Sequence, residues 1–124
     1  MTTSELYLSQ LEGEVLILTL QNEAKSMPDS AVISERQLLR AEYLRVAATH
    51  AVVDFNHLGY FTSTLLEALL QLWKAVKTRN GRMALCNLSP VGREIIAVPH
   101  FDQLWPICDT REQASHEVLT GSPR

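Results

Sequence analysis

Three short apolar runs, each separated from the next by a helix-patterned segment, constrain this chain more than any other feature. Val15 to Leu20 reads VLILTL, His50 to Phe55 reads HAVVDF, and Arg82 to Leu88 reads RMALCNL. Runs of this length, rich in Val, Ile and Leu, are the pattern of strands buried on both faces. Parallel neighbours cannot be joined by a tight turn, so strands alternating with helices demand crossover connections and a largely parallel sheet. Leu6 to Leu11 alternates weakly and is expected to form a short edge strand, joined to the first run by a hairpin turn at Glu12-Gly13-Glu14. Leu104 to Cys108 (LWPIC) is expected as a last strand, confined to an edge by Pro106. The order is β-β-α-β-α-β-α-β-α. The fold class is α/β: a mixed, mostly parallel sheet of about five strands flanked by about four helices.

Local signals place the helix ends. Gln21 to Ser30 (QNEAKSMPDS) reads as a loop, and a helix follows it. Ser34 and Gln37 have capping-box spacing, with Asp29 or Ser30 marking an earlier start. Leu38, Ala41, Leu44, Arg45 and Ala48 fall on one side of that helix. Thr64 and Glu67 form a second capping box, opening a helix that runs to about Arg79 and stops at Asn80-Gly81. Ser89-Pro90 reads as an N-cap followed by a first-turn proline, and that short helix ends before Pro99. Thr110 to Gln113 opens a terminal helix. The chain of 124 residues suits one domain over residues 1–120, with residues 121–124 a frayed tail.

Charge and motif content exclude several functions. Eleven Lys plus Arg against fourteen Asp plus Glu leave a net charge of −3 and no basic excess for nucleic acid or an anionic membrane surface. No apolar stretch approaches the ~18 residues that span a bilayer, and the N-terminus shows no secretory pattern, so a cytoplasmic protein is expected. His50, His57, His100 and His116 share no metal-ligand spacing with one another, with Cys or with carboxylates, and no metal or other cofactor is expected. Cys86 and Cys108 lie outside any CxxC pattern and read as reduced core thiols, able to pair only if their strands are neighbours and the compartment oxidising. There is no glycine-rich phosphate loop. A hydrolytic triad of Asp54, His57 and Ser63 has no oxyanion-forming motif beside it.

The hydroxyl cluster Thr62-Ser63-Thr64 at the start of the long helix is the candidate site. Capping accounts for one hydroxyl. With Thr64 as the cap, Ser63 lies just outside the helix, facing unpaired N–H groups and the positive end of the dipole. A phosphate there adds about −1.5 to −2 charges at pH 7. The helix behind it is apolar over an arc of about 220°, twice what a core-facing helix needs. Leu65, Leu69, Leu72 and Val76 form the centre of that arc. Leu66, Leu70 and Trp73 lie to one side, for a neighbouring helix or a partner to cover.

The segment VVDFNHLGYFTSTLLEALLQLWKAVKTRNGRMALCNLSPVGREIIAVPHFDQLWPICDTREQA resembles a STAS domain of the anti-sigma factor antagonist family. Its pattern is an apolar strand ending in Asp, a hydroxyl-rich helix start, a strand ending near Ser-Pro, a short helix and an L-hydrophobic-Pro strand. The resemblance covers about half the chain, roughly residues 50 to 115. It implies a domain without catalytic chemistry that binds an anti-sigma factor which is also a serine kinase. In that scheme the kinase phosphorylates the Ser at the helix start, the complex dissociates, and a phosphatase resets it. By position Ser63 takes the role of phosphoacceptor, with Thr64 and then Thr62 the next candidates. The partner surface comprises His57, Tyr60, Thr62, Thr64, Leu66, Leu70, Trp73 and Ser89. Thr62 stands where the family has Asp, Leu65 where it has Gly, and QNEAKSMPDS where it has a Gly-x-Leu-Asp motif. A competing reading is a non-phosphorylated STAS-like scaffold or homodimer subunit of a signalling or transport assembly; a third is a small hydrolase.

Overall fold

A computed structural model describes residues 2–3, 7–21 and 29–121. The strands are β1 (Thr2–Thr3), β2 (Tyr7–Glu12), β3 (Val15–Leu20), β4 (His50–Asp54), β5 (Met83–Cys86) and β6 (Ile107–Cys108). The helices are α1 (Asp29–Arg45), α2 (Ser63–Thr78), α3 (Pro90–Ala97) and α4 (Arg111–Thr120), with a 3-10 turn at Phe101–Gln103. The strands lie in the sheet in chain order, β1-β2-β3-β4-β5-β6. The β1/β2 and β2/β3 pairs are antiparallel and the other three parallel. This is the expected mixed sheet with four helices, extended by the two-residue β1.

Strand alternation divides the core in two. Leu16, Leu18, Leu20, Ala51, Val53, Phe55, Met83 and Leu85 face α1 and α2, while Val15, Ile17, Val52, Ala84 and Cys86 face Ala114 and Val118 of α4. Gly13 closes the β2/β3 hairpin with φ +61°, a backbone setting that a side chain disfavours. The centre of the α2 arc is buried as expected, at Leu65, Leu69, Leu72 and Val76. Its C-terminus is a Schellman motif: Asn80, at φ +56°, donates to Lys77 O at 3.0 Å, and Gly81 N donates to Val76 O at 3.0 Å. Glycine follows because a Cβ there would lie 1.8 Å from Thr49 O.

Four expectations need correction. First, α1 begins at Asp29, the earlier start that the sequence also offered, so Ser34 and Gln37 lie within the helix and not at its N-terminus. Second, its buried side is Leu39, Glu42 and Tyr43, whereas Ala41, Leu44 and Arg45 are exposed. Glu42 tolerates burial because Ser9 Oγ donates to it at 2.8 Å and Arg45 Nη2 at 2.6 Å. Arg79 then covers carbonyls just beyond the C-terminus of α1, with Nη1 donating to Val46 O at 2.9 Å and Ala48 O at 2.8 Å. Third, α2 starts at Ser63 with Thr62 as its cap residue, so Thr64 is not the cap. Fourth, the last strand spans Ile107–Cys108 only. Pro106 has no N–H to extend the ladder, and before it the chain turns to bury Trp105 completely.

Ser89 and Thr110 cap as expected, accepting from Gly92 N at 3.0 Å and Gln113 N at 3.1 Å. Cys86 and Cys108 are register partners on adjacent strands, both as free thiols. The expected loop at Gln21–Ser30 falls mostly outside the described residues, as do residues 122–124 of the expected tail.

Candidate functional site

The parallel strands carry their loops at one edge of the sheet, where α2, α3 and α4 begin. Asp54 closes β4 there and points to the α4 side. Its side chain is 5% exposed, and both oxygens are occupied. Oδ1 accepts from Asn56 N at 2.8 Å and Asn87 Nδ2 at 3.0 Å. Oδ2 accepts from Arg111 Nε at 3.2 Å and Nη2 at 3.0 Å. The same guanidinium donates to Thr19 Oγ1 at 2.9 Å and Gln10 Oε1 at 3.3 Å. One carboxylate therefore ties β4 to α4 and to the loop after β5, and through Arg111 to β2 and β3.

Three residues in these loops hold left-handed backbone: Asn56 (φ +51°), His57 (φ +58°) and Asn87 (φ +55°). Asparagine enters this region most readily among residues with a side chain. The Asp54 hydrogen bonds hold Asn56 and Asn87 in place. His57 is held through its backbone, donating N–H to Asn87 O at 2.9 Å. Phe61 anchors the far end of the loop, buried with its ring 5.0 Å from that of Phe55. A Cβ on Gly92 would stand 3.2 Å from that Phe61 ring, so α3 packs closely here.

On this platform Ser63 is exposed at the first position of α2, between the half-buried Thr62 and Thr64. Thr62 makes no side-chain cap, although its carbonyl accepts from Leu65 N at 3.0 Å, and the first turn holds no acidic residue. The positive end of the dipole is left without a negative side chain at Ser63. His57 is exposed, and Tyr60 is 59% exposed. Ser89 is half-buried, its hydroxyl spent on capping α3. Leu66, Leu70 and Trp73 are half-buried and lean on the core, Trp73 edge-on to Trp105 at 6.4 Å. The molecule itself thus covers much of that flank. Of the candidate partner residues, His57 and Tyr60 are thus exposed near Ser63, Thr62, Thr64 and Ser89 are half-buried beside it, and Leu66, Leu70 and Trp73 are half-covered along α2.

The hydrolytic reading loses its geometry, because the donors to Asp54 are Asn56, Asn87 and Arg111, and His57 is not among them. Among the described residues, no three His, Cys, Asp or Glu side chains converge as metal ligands, and no helix is long and apolar enough to cross a membrane. Arg111, Asn87, Thr19 and Gln10 were absent from the sequence-derived site. Arg111 carried a signal, since a cation in the first turn of a helix opposes the dipole and calls for a countercharge.

The molecule is an α/β domain whose helix starts and pinned loops share one edge of a mostly parallel sheet. The STAS domain model matches residues 9–114, and the chain belongs to that family. It is an anti-sigma factor antagonist-like member. Over 120 residues it is 27% identical to a proposed anti-sigma factor antagonist, BtrV of Bordetella bronchiseptica, covering 97% of this chain and 99% of that one. A STAS domain protein of Planctomyces limnophilus has the same fold, with a TM-score of 0.76 at 23% identity over 92% of this chain and 98% of the other. The anti-sigma factor antagonist SpoIIAA shares it too. In unphosphorylated form its TM-score is 0.67 at 20% identity, covering 95% and 99% of the two chains. In phosphorylated form, from Bacillus, it is 0.65 at 20% identity, covering 90% and 98%.

Proposed function

We propose that this domain is a phosphorylation-switched antagonist of an anti-sigma factor that is also a serine kinase. The partner docks on the edge that carries His57, Tyr60 and Ser63, with Thr62, Thr64 and Ser89 bordering the contact and Leu66, Leu70 and Trp73 extending it along α2. Phosphate on Ser63 releases the partner, a phosphatase restores binding, and the cycle runs in the cytoplasm. No catalytic step belongs to the domain itself.

The observation that carries this reading is the exposure of Ser63 at the first position of α2, on loops held by the Asp54 hydrogen bonds. A kinase can reach the hydroxyl without unfolding anything. The product, with about −1.5 to −2 charges, is favoured by the helix start in the free domain. Beneath a docked partner the same charge loses its water, and burying an unpaired charge is costly. The modification therefore favours the free state over the complex. SpoIIAA, known in both phosphorylated and unphosphorylated forms, supports the assignment.

The test is incubation with the serine-kinase anti-sigma factor of the same genome and ATP, followed by peptide mass spectrometry. A single phosphate on Ser63, lost in Ser63→Ala, is expected. A stable complex with no phosphate on Thr62, Ser63 or Thr64 would identify a non-switching scaffold. Absence of any complex would remove the proposal altogether.

A further inference from the structure

A concave feature lies at the far end of α2. Lys77 is fourteen residues beyond Ser63, about 21 Å along the helix at 1.5 Å per residue. There a cavity of about 320 Å³ opens between the last turns of α2 and α4. It exists because β6 is short. β5 and β6 pair only at Leu85↔Ile107 and Cys86↔Cys108, so Met83 has no neighbouring strand on that side. Pro106 gives its carbonyl to Leu85 N at 3.0 Å but has no N–H with which to continue the ladder. The chain enters from the Phe101–Gln103 turn instead, and a cavity with the buried Met83 in its wall takes the place of a neighbouring strand.

The walls are mainly apolar, formed by Trp73, Met83, Leu104 and Val118. Water against the apolar walls finds few partners, so an apolar body displaces it there. The volume falls at the lower end of the range of small-ligand sites, about 300–1,000 Å³. Two of the three charged lining residues are cations, Lys77 and Arg82, set against Glu117. Lys77 Nζ stands 5.5 Å from the centroid of the Trp73 ring. Arg82 donates from Nε to Val118 O at 2.7 Å and from Nη2 to Leu119 O at 3.2 Å, while its Nη1 makes no hydrogen bond among the described residues. The guanidinium is thus fixed by two bonds with a donor to spare. In a chain of net charge −3, this is a local positive site beside an apolar chamber.

We propose that this cavity binds a small apolar carboxylate, its carboxylate between Lys77 and Arg82 and its body against Trp73, Met83 and Leu104. The site is independent of the switch at Ser63. The test titrates the full chain with sodium octanoate, with 1-octanol and octylammonium as neutral and cationic counterparts. Amide NMR shifts at Gly81, Met83 and Val118, together with tryptophan fluorescence, report occupancy. Saturable shifts confined to these residues are expected, with octanoate bound at least tenfold more tightly than either counterpart. Lys77→Glu removes that preference and leaves octanol affinity unchanged. Leu104→Trp, which fills the chamber, abolishes binding of both while the melting transition persists. Non-saturating or scattered shifts, equal affinity for the three probes, or undiminished octanoate binding in Lys77→Glu would each overturn the proposal.

Discussion

Replacing Arg111 with methionine tests whether charge holds the strand-end platform together. The substitution keeps an unbranched stem and removes the guanidinium, with its two bonds to Asp54 Oδ2 and its bonds to Thr19 and Gln10. Asp54, whose side chain is 5% exposed in the native chain, then has its charge met only by Asn56 N and Asn87 Nδ2. Stripping one partner from a buried ion pair costs about 3–5 kcal/mol. The Arg111 side chain is 33% exposed, so solvent already screens part of the attraction. The expected loss is therefore about 2–3 kcal/mol. Urea unfolding with a slope of about 1.5 kcal/mol per M places the midpoint about 1.3–2 M lower. Arg111→Lys restores less than half, since one ammonium cannot reach Asp54, Thr19 and Gln10 in a fork. Adding Asp54→Asn to Arg111→Met recovers stability by removing the stranded charge, so the two substitutions are strongly non-additive. A loss under 0.5 kcal/mol in Arg111→Met, or additive effects in the pair, would refute the reasoning.

Three further outcomes follow from the geometry. Gly81→Ala drives a Cβ to within 1.8 Å of Thr49 O, which itself accepts from Tyr43 Oη at 2.7 Å, so urea unfolding should show a loss of at least about 2 kcal/mol; near-wild-type stability would contradict the close approach. His50 Nδ1 accepts from Arg82 N at 2.9 Å, and burial, followed by the Arg82 charge, lowers its pKa below 6.5 against a weaker pull from Glu14. The unfolded chain then takes the proton first, so stability is complete above pH 6.5 and falls as the pH drops toward the folded value. His50→Asn, which retains an acceptor, should flatten that decline; an unchanged slope in stability against pH would count against it. The Cys86 thiol is pushed up to about 12 by burial and next by the Asp54 charge, and burial likewise raises Cys108. Iodoacetamide at pH 8 should therefore modify Cys86 only after unfolding, and rapid labelling of Cys86 in the native protein, read by peptide mass spectrometry, would contradict this.

VLILTL, HAVVDF and RMALCNL are legible as strands because both faces of β3, β4 and β5 are covered, so an uninterrupted apolar run is the pattern they require. The α1 face is misread for the opposite reason. Its buried side includes Glu42, whose charge suggests solvent until Ser9 and Arg45 are seen to satisfy it. The start of α2 is displaced because three consecutive hydroxyls offer the same local signal, and the true cap residue makes no side-chain bond. The shortness of β6 is only partly encoded. Pro106 predicts an edge, but the burial of Trp105 that bends the chain away depends on Trp73 and Phe101, 5.3 Å from its ring. The Asp54 network joins residues up to 101 positions apart, a separation at which local pattern carries no information.

The most direct measurement is calorimetric titration of the kinase partner with two forms of this chain, one unmodified and one stoichiometrically phosphorylated on Ser63. The unmodified chain is predicted to bind saturably. The phosphorylated chain should bind at least tenfold more weakly, a difference of about 1.4 kcal/mol. Equal affinity of the two forms would contradict a switch at Ser63.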